Sequence, residues 1–112
     1  MLFATLYHDK DGVPAGYTLI GHAGMAPEGQ DILCSALSMM AINTANALCA
    51  LTEDTVHVVS NEEEALLDVR VDGKPGERAE VLLSAFDMAC CSIRDDKQYD
   101  PYFSLKREEI KP

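Results

Sequence analysis

Asp31-Ile32-Leu33-Cys34-Ser35-Ala36-Leu37-Ser38-Met39-Met40-Ala41 opens a segment that reaches to about Leu51, and its reading decides the fold. Leu33, Leu37, Met40, Ala41, Thr44, Leu48 and Leu51 recur at helical spacing and predict one buried stripe. Asp31 suits the N-cap or first turn, where a carboxylate accepts orphan backbone N–H groups, so a long helix is expected from about Gln30 or Asp31. Upstream, His22-Ala23-Gly24-Met25-Ala26-Pro27-Glu28-Gly29 holds two glycines and a proline and little that could anchor a core, so it reads as a mobile loop.

Further upstream, residues 2–9 and 15–22 are apolar and β-prone around the turn Asp9-Lys10-Asp11-Gly12, which predicts an antiparallel hairpin. Downstream, strands are expected at 55–59 and 65–71, joined by the polar turn Glu62-Glu63-Glu64. A second amphipathic helix is expected over 77–95, with Ala79, Leu82, Leu83, Phe86, Cys90 and Ile93 inward, and a last strand near 102–107. The order ββαββαβ implies one α+β domain over residues 1–112: a mixed or antiparallel sheet with two helices packed across it.

Composition narrows the classes. The 112 residues are 47% hydrophobic and 25% charged, as in a globular protein. No apolar run approaches bilayer length on this reading, and the N-terminus lacks a basic segment before its apolar stretch, so a cytoplasmic protein is expected. A net charge of −10 disfavours nucleic-acid backbones and welcomes a basic peptide or protein. The four cysteines Cys34, Cys49, Cys90 and Cys91 include no C-x-x-C pair, and His8, His22 and His57 show no H-x-x-x-H spacing; neither a metal nor another cofactor is expected.

Chemistry concentrates between Gly21 and Ser38. His22 ends a strand, Cys34 falls in the first turn of the long helix, and the loop between them can bring the two together. A helix N-terminus favours the thiolate, the nucleophilic form. A neighbouring histidine can take the thiol proton and return it to a leaving amine. The free N–H groups of the first turn, that of Cys34 included, are candidate oxyanion donors. Asp31 could orient the imidazole, although its charge would oppose the thiolate. Ser38, one turn after Cys34, could reach the same site or bond a local carbonyl. Cys49, Cys90 and Cys91 read as packing residues, and so, by default, would Cys34.

The pattern Gly21-His22-Ala23, then Gly29-Gln30-Asp31-Ile32-Leu33-Cys34 with Ser38 a turn on, resembles the ribosomal-processing cysteine proteases of the Prp family. The resemblance extends over nearly the whole chain, with Ser35 standing where that family frequently has alanine. It implies a His22–Cys34 dyad supported by Asp31 and Ser38, with Gly21, Ala23, Gly24 and Gly29 in a cover loop over the substrate. It further implies removal of an N-terminal extension from a basic bacterial ribosomal protein, number twenty-seven of the large subunit, by a homodimeric enzyme without a cofactor. Two other readings remain open: a non-catalytic module of the same fold that docks on a ribosomal protein, and a Cys-His hydrolase of another substrate such as a thioester.

Overall fold

The computed structural model describes residues 1–26 and 31–110. The strands are β1 (Leu2–His8), β2 (Pro14–Gly21), β3 (Val56–Asn61), β4 (Leu66–Val71) and β5 (Phe103–Glu109); the helices are α1 (Ile32–Leu51) and α2 (Glu77–Asp95). A single 3-10 turn at Lys97–Tyr99 leads from α2 towards β5. The expected order ββαββαβ is the observed one.

The five strands form one mixed sheet in the order β3-β4-β2-β1-β5. β1 and β2 make the expected antiparallel hairpin, and β5 closes the other edge parallel to β1. In the first turn Asp9 Oδ1 accepts from the amides of Asp11 and Val13, at 2.8 and 2.9 Å, which is an aspartate organising its own turn. Alternation then separates the two faces of the sheet. Leu2, Ala4 and Leu6 of β1, Tyr17 and Leu19 of β2 and Val69 and Val71 of β4 enter the core with the inward residues of both helices. The opposite face carries Phe3, about half exposed, and a polar chain in which Thr18 Oγ1 donates to Asp68 while Arg70 pairs with Asp68 and stacks on Tyr7.

Tyr17 is the hinge of the packing. It is fully buried, its ring centroid lies 4.3 Å from that of Phe86 on α2, and its hydroxyl donates to the Ala41 carbonyl of α1 at 2.6 Å. Burial pushes the phenol well above its ordinary range, so it remains a neutral donor. Tyr17→Phe keeps the ring and loses only this bond, so equilibrium denaturation is expected to show a loss of about 1 kcal/mol.

Several expectations are corrected. The α1 stripe is Leu33, Leu37, Ala41, Ala45 and Leu48; Leu51 is exposed, because the helix has passed the end of the core there. Ala65 belongs to the β3–β4 turn, with a positive φ of 49°, and strand pairing resumes only at Leu66. Cys49 is exposed and does not pack. α1 is in fact long and apolar enough by composition to cross a membrane; here its inner stripe is part of the protein core.

Candidate active site

β2 ends at Gly21 with φ at +96°, a conformation that glycine adopts at little cost and residues with side chains rarely adopt. A Cβ there would also meet the Met1 carbonyl oxygen at 2.5 Å. This sharp exit turns His22 out of the sheet as an exposed side chain. The next residue, Ala23, is buried in the core, so the loop that sequence alone left unanchored has an apolar anchor directly after the histidine.

Across the gap, Asp31 caps α1. Its Oδ1 accepts from the Cys34 amide at 2.9 Å and its Oδ2 from the Met25 amide at 2.9 Å. The carboxylate is buried, yet it is held below the usual carboxylate range, first by the Cys34 N–H and then by the loop amides of Met25, Ala26 and Gly24. One side chain thus ties the described part of the loop to the helix turn that bears the cysteine. Among the described residues no hydrogen bond or ion pair joins Asp31 to His22; both carboxylate oxygens are committed to backbone. Pro27, Glu28, Gly29 and Gln30 lie outside the described residues, so the expected roles of Gly29 and of a Gln30 helix start lie there too.

The cap also corrects the expectation that the Cys34 N–H could receive an oxyanion. That amide is spent on Asp31 Oδ1, and the Ser35 amide is spent on the Asp31 carbonyl at 3.0 Å.

His22, Cys34 and Ser38 form the shared wall of two adjoining pockets. The first, of about 300 Å³, is completed by Gly24, Ala26, Asp31 and Ser35. The second, of about 310 Å³, runs over Leu19, Gly21 and Ile42 to the β3–β4 turn. The half-buried Cys34 therefore borders a pocket on each side. The turn was invisible as a site element in sequence. It arrives because β4 pairs with β2 in the register Ile20↔Leu66, and the Gly21 amide donates to the Ala65 carbonyl at 3.2 Å.

The other cysteines lie elsewhere. Burial pushes the Cys90 thiol up to about 12, and burial with the neighbouring Asp87 carboxylate raises that of Cys91 as well. Asp87 is itself paired with Arg107 at the end of the molecule away from His22. Both shifts disfavour the nucleophilic thiolate. His57 lies on β3 with Asp72 at 3.7 Å, and His8 lines a separate cavity at the far end of β1. Among the described residues no group of histidine, cysteine or acidic side chains could hold a metal ion.

The model of the family described as cysteine protease Prp matches residues 1–104. No curated protein sequence matches the chain. Among solved structures, the essential ribosomal processing protease Prp of Staphylococcus aureus, in complex with a covalently linked product peptide, matches with a TM-score of 0.86 at 18% identity, over 96% of this chain and 100% of its own. The same protease in complex with a substrate peptide gives 0.83 at 18% identity, over 96% and 100%. SMU.848 of Streptococcus mutans gives 0.78 at 23% identity, over 98% and 99%. At these identities the structural likeness establishes the fold.

Proposed function

The chain belongs to the Prp family of cysteine proteases, and from that membership we propose that it removes the N-terminal extension of large-subunit ribosomal protein twenty-seven, with Cys34 as nucleophile and His22 as its base. The observation that carries the reading is the position of these two side chains, together on the wall shared by two adjoining pockets. The S. aureus relative supports it as a ribosomal processing protease captured with a covalently linked product peptide.

In the proposed reaction His22 takes the Cys34 proton, and the sulfur attacks the carbonyl carbon of the scissile bond. The resulting imidazolium gives its proton to the departing amine, leaving a thioester on Cys34. His22 then takes a proton from water as that water attacks the thioester, and the collapse returns the thiol. With the Cys34 and Ser35 amides committed, the positive end of α1 and the Ser38 hydroxyl are, among the described residues, the candidates to meet the charge on the carbonyl oxygen.

The net charge of −10 supports a basic protein as substrate, and four free cysteines accord with the reducing cytoplasm. Homodimerisation belongs to the same reading. The outward side of α1, where Ile32 and Met39 are 79% and 65% exposed, offers an uncharged surface for it.

Incubation with a peptide spanning the ribosomal protein's extension, followed by mass spectrometry, is expected to show a single cut after an aromatic residue. An intact peptide despite measurable binding would favour the docking-module reading instead.

A further inference from the structure

The second pocket beside Cys34 changes character along its length. Leu2 and Leu19 are buried in its base, with Leu66 and Leu67 half-buried beside them, while its outer rim is formed by exposed Ser60, Asn61 and Glu62. Glu62 is the only charged side chain among the residues described as lining this pocket.

The backbone at Glu62 is held by one side-chain and one backbone hydrogen bond within the turn. The Glu64 amide donates to Asn61 Oδ1 at 3.3 Å and the Ala65 amide to the Glu62 carbonyl at 3.2 Å. The Ala65 carbonyl in turn accepts from Gly21, the residue before His22. The backbone of Glu62 is thus held beside the strand end that presents the histidine, and its exposed side chain extends from there. Among the described residues no lysine, arginine or histidine pairs with it.

We infer that Glu62 is a specificity-determining residue: it selects peptides that carry Lys or Arg two positions from the apolar side chain held in this pocket. The inference rests on the peptidase reading above and adds to it a charge preference set by one residue. An apolar side chain has the leucine-lined base to fill, and the residue two positions away, which an extended chain presents on the same side, is carried to the rim, where Glu62 offers a countercharge.

The test uses peptides alike except for Lys or Glu at each of the two flanking positions two residues from the apolar one. Their binding to Cys34→Ala protein is measured by fluorescence anisotropy at low salt, so that cleavage is not required. At one flanking position the Lys peptide is expected to bind about fivefold tighter, as an exposed ion pair permits. Glu62→Lys is expected to invert that preference. Glu53→Lys makes the same change in net charge beyond the far end of α1, and is expected to preserve it. In cleaving protein the Glu62→Lys effect should fall on KM with kcat unchanged. A preference that survives Glu62→Lys, or that Glu53→Lys abolishes equally, overturns the inference. So does the absence of any preference. Binding selectivity that follows Glu62 in a protein that cleaves none of the peptides would overturn the peptidase reading and uphold the role of Glu62.

Discussion

Cys34→Ala is expected to abolish peptide cleavage, with a fall in kcat on the order of 10⁴-fold or more, while leaving the fold intact. Loss of a nucleophile removes the covalent route altogether, and what survives is only the small acceleration that binding and oriented dipoles provide. The side chain is half-buried on the pocket wall, so trading sulfur for a methyl hydrogen opens little cavity in the core. Iodoacetamide provides an independent reading. Cys49 is exposed but lies near the opposite end of α1, so it reports the labelling rate of a thiol that is merely accessible. Cys34 is expected to label faster than Cys49 despite being less exposed, and to lose that advantage in His22→Ala. Equal rates at the two thiols would mean that neither the helix terminus nor the histidine activates Cys34.

Asp31→Ala is expected to lower stability by about 1–2 kcal/mol, the usual effect of losing an aspartate N-cap. It is also expected to lower kcat/KM by about 100-fold, the scale associated with a misplaced catalytic group. Both follow from the double use of the carboxylate on the Cys34 and Met25 amides. Asp31→Asn separates them. Its carbonyl oxygen can still cap Cys34, but its NH₂ would face the Met25 N–H, donor against donor, so stability should largely return while activity remains low. The pH dependence has a definite sign. Because the folded carboxyl is held below its ordinary value, its stabilisation is complete above about pH 4 and is lost as the pH falls through the depressed value. Denaturant titrations of the wild type at neutral pH and in that acid window should therefore differ by more than those of Asp31→Ala. Asp87, lowered by Arg107, contributes in the same direction and remains in both proteins. An unchanged acid slope in Asp31→Ala would show that the buried carboxylate does not stabilise the fold.

The two residues illustrate different degrees of legibility. Cys34 could be singled out before any coordinates because a helix start and a nearby histidine are local features, written within thirteen residues of one another. Asp31 was legible as a cap for the same reason. Its second bond, to Met25, was not, because it depends on how a glycine-containing loop folds back on the helix end, and no periodicity encodes that. The same limitation hid the anchoring of Ala23, whose small apolar side chain looks alike in a loop or in a core.

By itself the sequence determined the element order, the hairpin, the inward face of α2, most of that of α1 and the candidate pair His22 and Cys34, since each depends on spacing or turn chemistry within a short stretch. Tertiary structure alone decided that β5 lies parallel beside β1, that Leu51 and Cys49 are exposed, and that Glu62 stands in the same pocket as Cys34. The physical reason is sequence separation. β4 reaches β2 across forty or more residues through a register set by burying Val69 and Val71 against the helices, and that pairing carries the 62–65 turn to the histidine.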